Sequence, residues 1–437
     1  MPASDSIDPA HLPGSGRIII AFSGGPDSVC LLHRLVVAQL PRELVCIHID
    51  HRMDAESPDR ARAAVDIAAG LGIDCTVVPV TVKSGGRGLE AEAREARYRA
   101  LERFVADEDV LVTAHHADDH SETIILRLLR GAGPAGLAGI PRRRRFGRGW
   151  LYRPLLDWRR QDIENWLEKH RLESIRDPAN RLPDFDRNHI RHHVLPLLRQ
   201  RWPGADAALK RSSTLCSGAA DFIARSVQRD LERAASNQGG PLDATALSDA
   251  SAYYLGEIIR AWCIQQHFDP PPGRQLEEFC QQYSQAAPDR GPLLTWDGAE
   301  LRAWRRHLWL QQNHSVTDNW QMAWDGCGAL ELPGGTGVLS LDGAGRPALD
   351  LTVSAGQPGD RIRPAGHRHT RPCKQLLAEA GVPPWQRNHW PRLWYRNRLA
   401  ALGARWLTDE FQALVDERGQ RLDWLRPAWM NTLKSTE

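Results

Sequence analysis

Hydrophobic and polar positions alternate in a regular order along the first two hundred residues. Four short apolar runs predict strands, over residues 17–22, 44–50, 75–80 and 110–114. Longer stretches with apolar residues at helical spacing follow these runs and predict helices, over residues 28–40, 59–71, 89–106 and 118–130. Strands that alternate with helices indicate an α/β fold, with a parallel doubly wound sheet and helices on both faces.

A different pattern begins after residue 131. Glycine and proline cluster as far as residue 141, and four further stretches carry helical spacing, over residues 159–169, 189–199, 205–235 and 250–267. Near the C-terminus, short apolar runs surround one helix at 374–380, which is typical of a small α+β unit. We therefore predict three domains: an α/β catalytic domain over 1–205, a mostly helical middle domain over 206–345 and a C-terminal domain over 346–437.

The composition is that of an ordinary globular protein. The 437 residues are 42% hydrophobic and 25% charged, and 56 Lys and Arg against 54 Asp and Glu leave a formal charge of +2. A polyanionic partner must therefore be sought in local clusters of charge. The eight cysteines contain no Cys-x-x-Cys pair, which argues against zinc and iron–sulfur sites. A polar N-terminus and the lack of an apolar run of about 18 residues predict a cytoplasmic protein without a membrane contact.

The first predicted strand runs directly into a loop that suits phosphate. Two adjacent glycines let the backbone approach an anion, and serine hydroxyls and the N-terminus of the next helix can bind phosphate oxygens. The carboxylate of Asp27 fits beside phosphate with Mg²⁺ between them, so we predict that Asp27 is a metal ligand. A plain strand-to-helix turn is the alternative. The residues predicted to bind the nucleotide here are Ser23, Gly24, Gly25, Pro26, Asp27 and Ser28.

The segment AFSGGPDSVCLLH, residues 21–33, resembles the signature of the N-type ATP pyrophosphatases. This resemblance implies cleavage of ATP to AMP and pyrophosphate, with adenylation of a carbonyl-like oxygen. The superfamily includes GMP synthetase, asparagine synthetase, NAD synthetase, tRNA thiolases and tRNA(Ile)-lysidine synthetase. The loop alone does not choose among them.

Three further segments resemble tRNA(Ile)-lysidine synthetase. They are residues 48–57 (HIDHRMDAES), 88–98 (GLEAEAREARY) and 114–123 (AHHADDHSET). The match continues over residues 129–140, 177–180, 187–188, 359–364 and 374–385, so it covers most of 17–200 and 356–410. This chain departs from the family pattern at Asp50, where Asn is usual, at Arg52, in a Gly-Leu-like pair, and at His120, where Gln is usual.

The resemblance implies a ligase that joins free L-lysine to a cytidine of tRNA. ATP would adenylate the 2-oxygen of the wobble cytidine in a CAU-anticodon tRNA(Ile), and the ε-amine of lysine would then displace AMP to give lysidine. The residues that the resemblance and their chemistry mark as catalytic are Asp27, His115, Asp118, Asp119 and Glu122.

Acidic side chains suit a substrate that carries two ammonium groups. Asp118 and Glu122 are spaced i, i+4 and share a helix face, where they could bind lysine, Mg²⁺ or both. Carboxylates near a helix N-terminus also simply complement its dipole, and His115 could be a general base or a structural residue. Arg94 and Arg97 lie three apart on one helix. They either clamp the ATP phosphates or the lysine carboxylate, or they form a solvated ion-pair face.

Local arginine density predicts contacts to tRNA phosphates. Four consecutive arginines follow the turn at 141, and residues 361–374 carry five Lys or Arg and no acid. Eleven of the 16 tryptophans follow residue 290; we expect most of these in the core, although some could stack on unpaired bases. The residues predicted to bind tRNA are Arg142, Arg143, Arg144, Arg145, Arg187, Arg191, Arg361, Arg363, Arg371 and Lys374.

Two other functions fit parts of the pattern. A tRNA 2-thiolase of the same superfamily needs a thiolate carrier or a cysteine-held cluster, which the scattered cysteines do not favour. A tRNA-binding module with an inactive nucleotide site is disfavoured by the intact SGGPDS and AHHADD motifs. The predicted partners are therefore ATP, Mg²⁺, L-lysine and tRNA(Ile), and a homodimer is compatible with the sequence.

Overall fold

The structure is a computed structural model. It describes residues 7, 11–52, 56–81, 89–175, 186–235, 240–286, 291–313, 319–342, 348–427 and 430, with the side chains of 89–91 excepted. The chain divides into two compact units, Met1–Ile223 and Ala224–Glu437, and each is described by itself. The three predicted domain boundaries stay a prediction.

A six-stranded sheet forms the centre of the first unit. Its strand order is β3-β2-β1-β4-β6-β5, and all neighbours are parallel except β5 and β6. This arrangement confirms the predicted parallel α/β sheet. The strands are β1 (Ile18–Ala21), β2 (Leu44–Asp50), β3 (Cys75–Pro79), β4 (Val110–Val112), β5 (Arg143–Phe146) and β6 (Gly149–Tyr152).

Helices cover both faces of this sheet because successive residues of its central strand point to opposite sides. Ile18 and Ile20 pack into one apolar core and Ile19 into the other, and all three are fully buried. The helices are α1 (Pro26–Val37), α2 (Ser57–Gly70), α3 (Leu89–Glu102), α4 (Ala117–Leu129), α5 (Pro134–Leu137), α6 (Arg160–Lys169), α7 (Asp186–His189), α8 (Leu195–Arg201) and α9 (Ala205–Ala234), whose last part belongs to the second unit.

The order of the strands reverses between β1 and β4. In an open parallel sheet, ligands bind at such a switch point, beyond the carboxyl ends of the strands. The loop after β1 carries SGGPDS, and β4 is followed by the AHHADD segment that opens α4. The fold therefore brings these two motifs to one edge of the sheet.

The second unit contains helices and antiparallel sheets. Helices α10 (Ala252–Gln265) and α11 (Gly273–Gln285) confirm the helical middle region, together with α9. The sequence analysis missed the four-stranded antiparallel sheet beside them, whose order is β7-β10-β9-β8. Its strands are β7 (Leu242–Asp243), β8 (Leu293–Trp296), β9 (Ala299–Trp304) and β10 (His307–Gln312).

Three further antiparallel sheets complete the second unit, with orders β11-β14-β17-β18-β19, β12-β13-β20 and β15-β16. Their core includes Trp390 and Trp424, in agreement with the expectation that tryptophans here are mostly buried. No helix in the described parts of the chain is long and apolar enough to cross a membrane. The elements are β11 (Gln321–Trp324), β12 (Leu330–Glu331), β13 (Val338–Asp342), β14 (Leu351–Ser354), β15 (Arg361–Ile362), β16 (Arg371–Pro372), α12 (Cys373–Glu379), β17 (Arg392–Tyr395), β18 (Arg398–Leu402), β19 (Trp406–Leu407), α13 (Asp409–Glu417) and β20 (Arg421–Leu425).

Candidate active site

Hydrogen bonds from its own side chains fix the shape of the loop between β1 and α1. The hydroxyl of Ser28 donates to the carbonyl of Gly25 at 2.9 Å and lies 3.1 Å from the hydroxyl of Ser23. Gly24 has φ +76°, and a Cβ there would lie 2.4 Å from a methyl group of Ile175, so only glycine fits. Pro26 begins α1, where its fixed φ suits the first helical position. The result is a tight strand-to-helix turn that faces the edge of the sheet.

Asp27 joins this loop to the AHHADD segment through His116. The Nε2 atom of the buried His116 lies 3.8 Å from the Asp27 carboxylate and 3.6 Å from that of Asp119. Burial raises the pKa of Asp27, although the nearby imidazole opposes this shift. Burial by itself would lower the pKa of His116, but Asp118, Asp119 and Asp27 raise it above its ordinary value. The three carboxylates around His116 therefore favour its protonated form.

Asp118, Asp119 and Glu122, here called the carboxylate cluster, occupy the first two turns of α4. Asp118 accepts the backbone N–H of Arg160 at 2.8 Å, and Asp119 accepts that of His116 at 3.0 Å. Although burial opposes ionisation, His116 and Arg187 lower the pKa of Asp119 to about 2. The His116 imidazole, 3.5 Å away, and the hydrogen bond from the Arg160 amide likewise hold the pKa of Asp118 far below its ordinary value, against the effect of burial. Both aspartates are ionised at neutral pH.

Glu122 has no exposed surface and is bound by two arginines. Arg187 Nε donates to Glu122 Oε2 at 2.7 Å, and Arg191 Nε donates to Oε1 at 2.6 Å. Their terminal nitrogens lie 2.9 Å and 3.3 Å from Asp119 Oδ1. The sequence placed these arginines on a tRNA-facing surface. The structure directs them against the carboxylate cluster, and their predicted contact with tRNA stays a prediction.

A short π-helical turn, Ile190–Val194, joins α7 to α8 and alters the helical register. Such turns are frequent at functional sites because they redirect side chains. After it, Arg199 reaches Asp118 Oδ1 at 2.5 Å and also binds Asp206 at 2.9 Å. Three arginines of the helical segment 186–201 thus bind the three acids of the carboxylate cluster. The sequence analysis missed this pairing. The feature that could have indicated it is the arginine-rich helical segment 186–201, which has no acid after its first residue.

His115 differs from its neighbour. Its Nδ1 atom lies 2.9 Å from the Thr113 hydroxyl, and burial lowers its pKa to about 3. The imidazole is therefore neutral at pH 7. A general base works best with a pKa near the operating pH, so His115 is better suited to hydrogen bonding than to removing a proton from an amine.

Two of the three arginines of α3, Arg94 and Arg97, lie on the same side as the nucleotide loops. Arg94 is exposed, and its guanidinium lies 5.1 Å from the ring centroid of Tyr98. Burial is the main cause of the low pKa of His115, and the charge of Arg94 lowers this pKa further. Arg97 is half-buried, and its charge helps to lower the pKa of His51, which burial lowers most. His51 Nδ1 is buried without a hydrogen-bond partner among the described residues. Arg94, Arg97 and His51 are therefore placed to bind an anionic ligand beyond the carboxyl ends of β2 and β4.

The arginine run 142–145 forms an edge strand rather than a loop. Arg143, Arg144 and Arg145 are exposed on β5, and the Arg145 guanidinium lies 3.9 Å from the ring centroid of Trp150. Arg142 forms an ion pair with Asp157. A row of exposed arginines on an edge strand blocks pairing with another sheet and leaves a positive surface for an anion.

In the second unit the four predicted tRNA-binding cations surround β15 and β16. Arg361 and Lys374 are exposed, and Arg361 donates to the Thr370 carbonyl at 3.1 Å. Arg363 lies 3.6 Å from Asp409, and Arg371 forms an ion pair with Glu379. Two of the four cations therefore have acidic partners.

Cysteine chemistry has little support in the structure. All eight cysteines are free, and burial raises the pKa of Cys30, which follows the phosphate loop, to about 12. A thiol with such a pKa is not a thiolate at neutral pH. Within the described residues, no group of three or more His, Cys, Asp or Glu side chains is arranged to hold a metal ion.

Comparison with known proteins identifies the family. The PP-loop domain family matches residues 5–198, the TilS substrate binding domain matches 242–309 and the TilS substrate C-terminal domain matches 351–424. The tRNA(Ile)-lysidine synthase of Xanthomonas campestris pv. campestris (strain 8004) is 36% identical over 95% of this chain and 96% of its own length. This chain belongs to the tRNA(Ile)-lysidine synthase family. The synthase of Salmonella dublin is 35% identical, over 94% of this chain and 97% of its own.

Among solved structures, the chain is similar to the U34-tRNA thiolase NcsA from Methanococcus maripaludis with its 4Fe-4S cluster. The TM-score is 0.41 and the identity is 19%, over 48% of this chain and 76% of that chain. The NH3-dependent NAD synthetase of Campylobacter jejuni matches with a TM-score of 0.27 and 12% identity, over 46% of this chain and 85% of its own.

Two of the departures from the family pattern have structural explanations in the loop after β2. Asp50 is buried and accepts hydrogen bonds from the Ser57 hydroxyl and, at 3.0 Å, from the Arg52 amide. Arg52 has φ +50°, in the left-handed region that favours glycine, so a Gly-like residue at this position of the family relieves strain. Asp50 thus stabilises the turn that Arg52 strains.

The third departure, His120, ties α4 to two other segments. Its Nδ1 accepts the Ile140 amide at 3.1 Å, which leaves the ring proton on Nε2, 3.0 Å from the Ser213 hydroxyl. A glutamine can form the same two hydrogen bonds, one as acceptor and one as donor. His120 is therefore a structural replacement. The motif at residues 177–180 lies outside the described residues, as does Met53.

Proposed function

We propose that the protein ligates L-lysine to the 2-position of the wobble cytidine of a CAU-anticodon tRNA(Ile), with release of AMP and pyrophosphate. Membership of the tRNA(Ile)-lysidine synthase family supports lysidine formation on tRNA. The observation that carries the proposal is the meeting of Asp27 with His116 and Asp119 at the β1–β4 switch point. One edge of the sheet thus combines a phosphate loop with an acidic wall.

The loop residues 23–28 bind the ATP phosphates in this proposal. The backbone turn at Gly24 and the N-terminus of α1 supply N–H groups, and the PP-loop family match supports the use of ATP. Asp27 would hold Mg²⁺, which would supply positive charge to offset that of the phosphates. A single partly exposed carboxylate fits this ion, because Mg²⁺ is commonly held by one or two carboxylates together with substrate phosphates.

His116 stabilises the leaving pyrophosphate. Its raised pKa favours the imidazolium, whose positive charge lies 3.8 Å from the Asp27 carboxylate, beside the loop. Fixed positive charge at the point where negative charge develops is an effective way to lower a barrier. Arg94 and Arg97 approach the same space from α3 and contact either the phosphates or the lysine carboxylate.

In this proposal lysine binds beside the carboxylate cluster, whose negative charge is nearly balanced by its arginine partners. Its three acids face three arginines, so the cluster alone offers little net attraction for an ammonium group. Asp27 adds a fourth carboxylate whose side chain is 42% exposed, against 13% for Asp119 and 14% for Asp118. The ε-ammonium of lysine therefore approaches from the Asp27 side. Glu122 and its arginines hold the inner wall in position.

Both basic segments contact tRNA in this proposal. The exposed arginines of β5 and the exposed cations near β15 bind phosphates, which position a substrate without reading its bases. A homodimer stays a prediction.

Mass spectrometry of the tRNA tests the reaction. After incubation with ATP, Mg²⁺ and lysine, the wobble cytidine should gain the mass of lysine less one water, and AMP should accumulate. A matched transcript with uridine at the wobble position is the control and should stay unmodified. Incorporation of sulfur, or unmodified tRNA(Ile), would contradict the proposal.

A further inference from the structure

The helical segment that binds the carboxylate cluster has a second, outward face. From Arg187 to Trp202 the sequence contains no acid. Arg187, Arg191 and Arg199 point to the cluster. On the outside, Trp202 leaves 56% of its surface exposed at the end of α8, and Arg201 beside it is exposed as well.

The backbone that carries Trp202 is fixed on both sides. Its amide donates to the Leu198 carbonyl at 2.7 Å, and its carbonyl accepts the Ala205 amide at 2.9 Å, at the start of α9. The Arg201 guanidinium lies 5.5 Å from the centroid of the indole ring. An indole on a fixed backbone loses little entropy on binding, and the adjacent cation adds attraction for phosphate.

This indole lies close to the proposed chemistry. Trp202 is three residues after Arg199, whose terminal nitrogen is 2.5 Å from Asp118 Oδ1. About one helical turn, roughly 5 Å of rise, and the length of one arginine side chain therefore separate its backbone from the carboxylate cluster. Nucleotides next to a base held at the cluster come within reach of the indole.

We propose that Trp202 stacks on an unpaired base of the anticodon loop, next to the cytidine that is modified, while Arg201 contacts the adjacent phosphate. This inference rests on the proposed function. Single-stranded RNA loops are recognised by aromatic side chains that stack on splayed bases, with cations along the backbone. The acid-free run is complementary in charge to RNA, which favours RNA over a protein partner as the occupant.

The test compares Trp202→Ala with Trp202→Phe in binding to an anticodon stem–loop RNA. Stacking on an aromatic ring contributes enough affinity that Trp202→Ala should weaken binding about 5- to 100-fold. Trp202→Phe keeps a π face and should retain most of the affinity. Stem–loops with an abasic nucleotide on either side of the target cytidine then identify the stacked base. Loss of that base should weaken binding to the parent protein and add nothing further in Trp202→Ala.

Three results would overturn the stacking role. Trp202→Ala could bind the RNA like the parent at an equal melting temperature, the abasic and alanine effects could be additive, or Trp202→Ala could convert a dimeric parent into a monomer. Binding measurements give the first two results, and sedimentation gives the oligomeric state. If the parent binds the stem–loop but forms no lysidine, the proposed function fails, whatever the two variants show. If the parent forms lysidine and both variants bind the stem–loop as tightly as the parent, only the stacking role fails.

Discussion

Replacement of Glu122 by glutamine distinguishes a buried ion-pair network from a simple helix-dipole effect. Glu122 is fully buried and accepts hydrogen bonds from Arg187 and Arg191 at 2.6–3.0 Å. Glu122→Gln leaves two half-buried guanidinium groups with Asp119 as their remaining acidic partner. Removal of one member of a buried ion pair typically costs about 3–5 kcal/mol. An acidic side chain near a helix N-terminus stabilises the helix by about 0.3–1 kcal/mol, and this effect fades beyond the first turn. Glu122 lies beyond the first turn of α4.

Urea unfolding, followed by a probe in the first unit, measures this difference. We expect Glu122→Gln to lower the free energy of unfolding by about 3–5 kcal/mol. Glu95→Gln is the matched control, because Glu95 forms an exposed i, i+4 pair with Arg99 and its loss should cost no more than about 0.5 kcal/mol.

A double variant checks the mechanism. Glu122→Gln combined with Arg191→Met removes an acid and one of its two cations together, so it should be less destabilised than the sum of the single variants. A loss below about 1 kcal/mol for Glu122→Gln, or strict additivity, would refute the ion-pair network and return Glu122 to a dipole role.

Three further predictions concern the nucleotide loop, pH and the C-terminal unit. Asp27→Ala should abolish pyrophosphate release and leave tRNA affinity nearly unchanged in a filter-binding assay, because the loop serves phosphate rather than RNA; full pyrophosphate release would contradict this. His115 has a folded pKa of about 3 against about 6.5 when unfolded, so its contribution to stability is lost as pH falls below about 6.5, by about 2 kcal/mol at pH 5. The drop in urea midpoint between pH 7 and pH 5 should thus be smaller in His115→Gln, and an equal drop would refute the assignment. Replacing the four cations Arg361, Arg363, Arg371 and Lys374 with Gln should weaken tRNA binding at an unchanged melting temperature. The slope of log affinity against log salt should flatten by roughly two to four units, and an unchanged slope would contradict their role in docking tRNA.

Periodicity predicted the first unit well because its strands are nearly continuous apolar runs. The predicted strand at residues 44–50 matches β2 in full, and the helix predicted over 118–130 is α4, Ala117–Leu129. Their order then placed the phosphate loop and the AHHADD segment at one edge by a general rule of parallel sheets.

The missed strands differ in how much signal the sequence carries for them. Arg143–Phe146 is a strand of mostly charged residues, stabilised by pairing with β6 and by arginine–aromatic contacts that composition does not reveal. The hairpin β8–β9 did carry a signal, since Asp297-Gly298 joins two alternating runs and both residues have positive φ.

The ion-pair network could not be read from the sequence. Arg187 and Arg191 lie 65 and 69 residues from Glu122, and no local pattern encodes that contact. Their positive charge suggested RNA binding, and the structure shows that they also form ion pairs with the carboxylates. A helical segment with four arginines and no acids after its first residue is as consistent with a partner inside the fold as with one outside it.

A labelling experiment tests the central claim most directly. ATP labelled at the α-phosphate is incubated with the protein, Mg²⁺ and tRNA(Ile) without lysine, and the tRNA is isolated before unlabelled lysine and fresh protein are added without ATP. The account predicts that label first appears on the tRNA as AMP and is then released as lysidine forms. Lysidine formation without any labelled tRNA intermediate, or labelled tRNA that lysine cannot discharge, would contradict it.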